Sequence, residues 1–180
     1  MTKINMGCGW RNFGEDWVHI DGGDYDHLDH NDITSLPFKN NTVDLIYASH
    51  VIEYMDREDI LTILQEWKRV LKEDAILRIA VPDFYMMAKL YLLDSRFTLK
   101  NFLGPLYGKM SMGEKKIYHK TTYDFDSLKS VLEDSGFRNV VRYDWKETDH
   151  SDFDDHSQAY LPHMDKENGI LMSLNVECNK

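Results

Sequence analysis

Glycine and polar residues follow several apolar stretches of the chain, and their types and spacing point to ligand binding. Glycines after the first stretch let a ligand approach the backbone closely. An acid after the second stretch can accept hydrogen bonds from both hydroxyls of a ribose, and an acid near the end of the third can accept from an adenine amino group. Together these groups predict a site for adenosine that makes no demand for phosphate. The residues concerned are Gly7, Cys8, Gly9, Asp21, Asp32, Ser49, His50 and Asp83.

The elements that must position these residues alternate between strand-like and helix-like patterns. Turn-bounded apolar stretches predict strands at 3–6, 17–21, 43–48, 75–81, 140–143 and 171–177, with a weaker candidate at 28–33. Apolar residues at helical spacing predict helices at 60–71, from Asp83 through Leu93, and from Asp124 to Gly136, with Asp56, Asp83 and Asp124 as their N-caps. This alternation predicts an α/β three-layer sandwich with a central, mostly parallel seven-stranded sheet. In such a sheet, ligands bind beyond the carboxyl ends of the strands.

Length and composition describe a globular protein. The chain has 180 residues, 42% of them apolar, and a formal net charge of −10. We therefore expect a single domain over 1–180, with 95–122 and 146–168 as lid or substrate loops. No apolar run approaches the ~20 residues of a membrane span, and the N-terminus lacks a signal-peptide core. These features predict a cytoplasmic protein with no membrane partner, and the negative charge argues against nucleic acid.

The glycine loop differs from a dinucleotide-binding fingerprint in two respects. The fingerprint G-x-G-x-x-G needs a third glycine for helix packing, and Asn12 takes that place here. Asp21 also follows the loop after about 12 residues, where that fold places its ribose-binding acid about 20 residues on. The sequence therefore disfavours NAD.

Ordered motifs over roughly the first half of the chain resemble those of the class I S-adenosylmethionine (SAM)-dependent methyltransferases. The sequence is most similar to the short methyltransferases of the type-11-like group. The motifs are KINMGCG at 3–9, WVHID at 17–21, NDITSLPF at 31–38, DLIYASHVIEY at 44–54, EWKRVLK at 66–72 and LRIAVPD at 77–83.

The resemblance implies a Rossmann-like fold, SAM as the cofactor and a role for each matching residue. Ribose would be bound by Asp21, and adenine by Asp32 with Ile33. Ser49 and His50 would lie beside the methionine part and the reacting methyl group. That methionine part would be lined by the backbone of Gly7, Cys8 and Gly9.

Two positions depart from the family pattern. Asn5 stands where the family has an acid on the first strand, so it offers hydrogen bonds but no charge to the cofactor ammonium. Arg11 stands in place of the last glycine and is a candidate partner for the cofactor carboxylate, or a solvent-facing residue. The segment between the first two strands is also too short for the full first helix of this fold.

Two histidines are candidate general bases for deprotonating an acceptor, because an imidazole titrates near neutral pH. His50 follows a predicted strand, and His119 follows a glycine-bounded segment, 104–113, that is a candidate lid. Structural roles compete with these functions. In these structural roles His50 would hydrogen-bond a backbone group at a turn, and the segment around His119 would fix the start of the next helix by packing against it. Glu53 is expected to complement a helix start.

The sequence favours methyl transfer to a small molecule, with a sugar or glycan hydroxyl as one candidate acceptor. A non-catalytic SAM- or adenosine-binding module is the first alternative. The second is a metal-dependent hydrolase centred on the His- and Asp-rich segment 149–163. No metal ligand is assigned, and the oligomeric state is not predicted.

Overall fold

A computed structural model describes all 180 residues of the chain. Its main sheet has six strands in the order β2-β1-β3-β4-β10-β7. The strands of this sheet are β1 (Lys3–Met6), β2 (Trp17–Ile20), β3 (Val43–Ser49), β4 (Leu71–Pro82), β7 (Arg138–Arg142) and β10 (Ser173–Asn179). Two short hairpins lie outside it: β5 (Met110–Met112) with β6 (Lys115–Ile117), and β8 (Tyr160–Leu161) with β9 (Ile170–Leu171).

The main sheet is mostly parallel, as the sequence predicts. β2, β1, β3 and β4 pair in parallel, and β10 is antiparallel to both of its neighbours. The carboxyl ends of β1, β2 and β3 therefore share one edge of the sheet, which brings the residues after them together.

The prediction of seven strands is wrong, because the candidate strand at 28–33 forms only one parallel bridge, between Ile20 and His30. A side chain occupies the donor that a longer ladder would use. The Asp29 carboxylate accepts a hydrogen bond from the backbone N–H of His19 at 2.8 Å. The segment therefore turns away from β2 after a single pair.

Four helices connect the strands: α1 (Ile60–Val70), α2 (Phe84–Leu93), α3 (Leu99–Tyr107) and α4 (Phe125–Asp134). The predicted caps of α2 and α4 are confirmed: Asp83 accepts from the N–H of Met86 at 3.2 Å, and Asp124 forms a capping box with Ser127. The predicted cap of α1 is wrong. This helix starts only at Ile60, and the Asp56 side chain instead pairs with Lys120 at 2.6 Å.

The largest core lies on the face of the sheet that α1 and α4 cover. Trp67 of α1 and Leu128 of α4 are fully buried in this core of 27 residues. The Trp67 indole N–H also donates to the carbonyl of Ile33 at 2.8 Å, which ties the loop before β3 to the helix. The amphipathic pattern of α1 thus both covers the sheet and positions a loop at its functional edge.

The opposite face has no helix between β1 and β2. Residues 7–16 form a loop, in agreement with the short segment in the sequence. Aromatic packing takes the place of the missing helix: Phe13 stacks on Phe153 with ring centroids 4.1 Å apart, and both lie against Trp17 and Tyr47. A segment near the C-terminal end of the chain therefore covers the N-terminal strands.

A third core joins α2 and α3 to the chain before β10. Its members are Met87, Leu90, Phe97, Phe102 and Met172. No helix is long and apolar enough to cross a membrane.

Candidate functional site

A cavity of about 610 Å³ lies at the carboxyl ends of β1, β2 and β3. Its volume falls within the usual range for small-molecule sites. The β5–β6 hairpin forms the opposite wall, where Met112 packs its sulfur against Gly22. Of the predicted site residues, the cavity is lined by Gly7, Asp21, Asp32, Ile33, His50 and His119. Five other candidates lie outside its lining: Asn5, Cys8, Gly9, Ser49 and Asp83.

The glycine loop has the conformation and the space that a close ligand needs. Gly7 and Gly9 have φ values of +64° and +58°, a region that side chains disfavour. A Cβ at Gly7 would lie 2.3 Å from a methyl group of Val51, so this position cannot carry a side chain. At Gly9, by contrast, no atom lies within 4 Å of the Cβ position. The space beside Gly9 is therefore open to a ligand.

Asp21 is held in place by the two loops that it joins. One carboxylate oxygen accepts from the N–H of Gly9 at 2.8 Å, and the other accepts from the N–H of Gly23 at 2.7 Å. Each oxygen keeps a lone pair for a ligand. Asp21 thus links the glycine loop to the cavity wall while it remains able to accept from a ribose.

Asp32 lies in a turn at the same edge of the cavity. Its Oδ1 atom accepts from the N–H and the hydroxyl of Thr34 and from the N–H of Ser35. These bonds lower the pKa of the carboxyl, the Thr34 hydroxyl being the largest cause. The ionised group therefore has a fixed orientation and accepts none of these bonds on its second oxygen.

Asn5, Cys8 and Ser49 are placed behind the cavity. Asn5 is buried, and its side-chain nitrogen has no hydrogen-bond partner. Burial raises the pKa of the Cys8 thiol to about 12, so Cys8 is not a nucleophile. The Ser49 hydroxyl lies 3.3 Å from Asp155, which also accepts from the Tyr47 hydroxyl at 2.5 Å.

His50 and His119 meet at a buried carboxyl group that the sequence assigned to another role. One oxygen of Glu53 lies 3.4 Å from Nδ1 of His50 and 3.7 Å from Nε2 of His119. Glu53 is 1% exposed, and neither of its carboxyl oxygens has a hydrogen-bond partner. The three-residue spacing between His50 and Glu53, directly after a strand, is the signal in the sequence that could have identified this pair.

The histidines differ in how their nitrogens are used. Nδ1 of His119 lies 2.9 Å from the carbonyl of Pro105, while its Nε2 faces Glu53. His119 therefore has one nitrogen bonded to the backbone, and its other nitrogen faces Glu53 without a hydrogen bond. Nε2 of His50 has only a long contact, 3.4 Å to the hydroxyl of Ser173. His50 also has a φ of +56°, a strained conformation for a residue with a side chain, and such strain is concentrated at functional sites.

Burial sets the charge state of this cluster. It raises the pKa of Glu53 to about 8. Burial also lowers the pKa of His50 well below its usual value, with further contributions from His156, His119 and Arg11. The pKa of His119 is lowered by burial as well. At pH 7 the carboxyl therefore holds a proton and both imidazoles are neutral.

The His- and Asp-rich segment 149–163 does not bring its side chains together in a metal-binding arrangement. No group of three or more His, Cys, Asp or Glu side chains in the structure has the geometry to hold a metal ion. His150 is instead buried beside the Tyr47 ring, and burial lowers its pKa to about 4. The hydrolase alternative has no site in this geometry.

Comparisons with known proteins agree with the fold. The family model described as a methyltransferase domain matches residues 16–79. A SAM-dependent methyltransferase from Archaeoglobus fulgidus has a TM-score of 0.59 at 15% identity, over 99% of this chain and 86% of that one. One from Thermotoga maritima has a TM-score of 0.62 at 13% identity, over 99% and 81%. A Haloferax volcanii protein solved with the Trm112 methyltransferase activator has a TM-score of 0.55 at 14% identity, over 99% and 81%. A search of curated protein sequences found no match.

The architecture is thus shared with solved SAM-dependent methyltransferases. Together with the family model's match to residues 16–79, it makes this chain similar to SAM-dependent methyltransferases in fold and in part of its sequence.

Proposed function

We propose that this protein transfers the methyl group of SAM to a hydroxyl of a small molecule, with a sugar or glycan hydroxyl as the leading class of acceptor. The observation that carries the proposal is the cavity itself. It brings Asp21, Asp32 and His50 to one edge of the sheet, where the two carboxylates would accept from ribose and adenine and the histidine has a loosely held nitrogen.

The residues present suit SAM as the cofactor. Asp21 would accept from the ribose hydroxyls, and Asp32 would accept from the adenine amino group through its second oxygen. The methionine part would lie in the open space beside Gly9, and the unpartnered amide nitrogen of Asn5 on β1 would be available to donate a hydrogen bond to it. When bound, SAM supplies a methyl group on a positively charged sulfur, which is already a good leaving group.

The protein's own part in the reaction is then to orient the acceptor and receive its proton. His50 would accept that proton at Nε2, because its Nδ1 faces Glu53. An ionised Glu53 would stabilise the resulting imidazolium, whereas a protonated Glu53 would not. His119 would act as a positioning residue, because it holds Glu53 from the other side. We expect turnover to rise with pH through about 8, the pKa of Glu53.

The two predicted lid segments contribute differently to the acceptor site. Within 95–122, the β5–β6 hairpin lines the cavity, and its exposed Ser111 and Lys116 would contact an acceptor that enters past it. Within 146–168, residues near Phe153 pack beneath the sheet. We therefore propose the hairpin as the substrate lid and the second segment as its support.

Calorimetry with SAM and with S-adenosylhomocysteine tests cofactor binding. Asp21→Ala should weaken binding by about 1.5–3 kcal/mol, the range for hydrogen bonds to charged groups. Asp24→Ala removes an exposed acid from the same loop and should bind normally. Equal affinity for both folded variants would reject Asp21 as the ribose ligand.

Isotope transfer from labelled SAM to a fractionated cell extract tests the reaction. His50→Gln should reduce transfer by about 10²–10⁴, the range for general-base catalysis, while SAM affinity is retained. SAM binding without any transfer would instead support the non-catalytic module. Transfer that is unaffected in His50→Gln would show that the acceptor needs no base from this residue.

A further inference from the structure

The segment 84–120 differs from the rest of the chain in charge. It contains seven basic and two acidic side chains, a net charge of +5, whereas the whole chain carries −10. Two of the cations are paired, Arg96 with Asp94 and Lys120 with Asp56. The other five form no ion pair: they are Lys89, Lys100, Lys109, Lys115 and Lys116, all exposed.

The same segment also exposes most of the large apolar side chains at the surface. It holds ten of the fourteen exposed large hydrophobic residues of the protein. Leu92 and Leu93 are 76% and 77% exposed. Single exposed apolar residues are common, but a cluster of this size marks an interaction surface. The ten are Phe84, Tyr85, Tyr91, Leu92, Leu93, Leu99, Leu103, Tyr107, Met112 and Tyr118.

Eight of these ten side chains lie on two adjoining helices, α2 and α3, where helical spacing turns them outward. In α2 the exposed residues at 84, 85, 91 and 92 follow an i, i+1, i+7, i+8 pattern, while Met87 and Leu90 are buried. In α3 the exposed residues at 99, 103 and 107 repeat every fourth position, while Phe102 is buried. The buried sides join in one core, so the two helices present their apolar faces outward together.

We propose that this face, formed by α2 and α3 with their flanking lysines, is a docking surface for an anionic lipid bilayer. This face combines exposed Leu, Phe and Tyr with Lys, as do helices that lie in a membrane interface. In such helices the lysines reach the lipid headgroups. Such peripheral contact needs no membrane span. The sequence-based expectation of no membrane partner rested on the absence of a span.

Charge and composition favour a bilayer over the other occupants. A second copy of the chain would bring the unpaired lysines of α2 and α3 in both copies together, and like charges repel. Interfaces with other proteins are depleted in lysine, whereas this face carries the unpaired Lys89 on α2 and Lys100 on α3, with Lys109 two residues after α3. An anionic bilayer would bury the apolar side chains and neutralise the charge of the unpaired lysines.

Co-sedimentation with vesicles tests the proposal. We expect the protein to bind vesicles of phosphatidylcholine mixed with phosphatidylglycerol, to bind pure phosphatidylcholine vesicles much more weakly, and to be released by high salt. The double variant Leu92→Ser with Leu93→Ser should lose roughly tenfold or more in affinity, from the lost apolar burial. Lys89→Gln with Lys100→Gln should lose about fivefold per lysine.

Matched controls replace exposed residues elsewhere on the surface. Leu61→Ser on α1 and Lys39→Gln before β3 should bind the anionic vesicles like the wild type. All variants should keep the wild-type melting temperature and SAM affinity, since none of the replaced residues lines the cavity. A failure of cofactor binding is thus distinguishable from a failure of docking.

Three results would overturn the proposal. The first is no binding to either vesicle, and the second is equal binding to both. The third is a dimer in light scattering that the double leucine variant abolishes, which would assign the face to a second copy of the chain.

Discussion

Replacing Glu53 with glutamine tests the buried cluster without knowledge of the acceptor. Burial raises the pKa of this carboxyl from its ordinary value of 4.5 to about 8. Between these two pH values the folded protein holds a proton that the unfolded chain has released. Because the folded state binds more protons, the free energy of unfolding must fall as pH rises through this window.

The size of the effect follows from the two pKa values. At 1.36 kcal/mol per unit, the gap between 4.5 and about 8 corresponds to a ceiling of about 5 kcal/mol. Relaxation and water penetration around a buried charge reduce such penalties, so we expect about 2–4 kcal/mol. Glu53→Gln keeps the size and polarity of the side chain but cannot ionise. Its stability should therefore exceed that of the wild type by this amount above the window and be nearly equal to it below the window.

Urea unfolding of both proteins at about pH 5 and about pH 9 measures the difference. The buried histidines have lowered pKa values, so their contribution is lost as pH falls below about 6.5, but they are present in both proteins and largely cancel. Glu58→Gln, at an exposed site, should show no pH-dependent difference. Parallel pH profiles for Glu53→Gln and the wild type would show that the native carboxyl is ionised or solvated, and would refute this account of the cluster.

Three further predictions, the first with a matched control variant, test other parts of the site. Gly9→Ala and Gly14→Ala both place a side chain in open space at positive φ, and each should lower the free energy of unfolding by about 1 kcal/mol. Only Gly9→Ala should also weaken SAM binding, roughly tenfold by calorimetry. Equal SAM affinities for the two variants would contradict the placement of the ligand beside Gly9. His119→Ala should destabilise the protein by about 2 kcal/mol, because the imidazole is 5% exposed and bonded to a carbonyl; an unchanged melting temperature would argue for a direct catalytic role instead. Tyr47→Phe should cost about 1.5–3 kcal/mol in urea unfolding through its lost bond to Asp155, and a negligible loss would mean that this bond is not formed in solution.

Local patterns in the sequence predicted the sheet and most of its connections. Contacts between residues close in the chain determine the strands and the amphipathic helix around Trp67. The same holds for the helix caps at Asp83 and Asp124. The third candidate strand failed because a side chain, Asp29, competes for the backbone donor of β2. Such competition depends on the register between segments and is not visible in either segment alone.

Two features of the site also lay beyond local reasoning. α3 contains Gly104 and Pro105, which resemble a loop in sequence, but packing of Phe102 against α2 stabilises it as a helix. The role of Glu53 depends on His119, which is 66 positions away in the chain. The cavity-lining residues at 7, 21 and 50 were predictable because each follows its own strand, whereas Asp32 lies in a turn and the cluster around Glu53 is created by tertiary contacts.

The aromatic packing that replaces the first helix has a consequence for how the chain is made. The hydrogen-bond partner of Tyr47, Asp155, lies 108 positions later in the chain and is synthesised roughly 5–20 seconds after Tyr47 at ordinary translation rates. Throughout that interval one side of the nascent parallel strands remains bare, with Phe13 and Trp17 uncovered. Folding from the N-terminus therefore cannot be completed as the strands emerge, and a ribosome-bound chain stalled before Phe153 should be a substrate for chaperones that bind exposed aromatic residues.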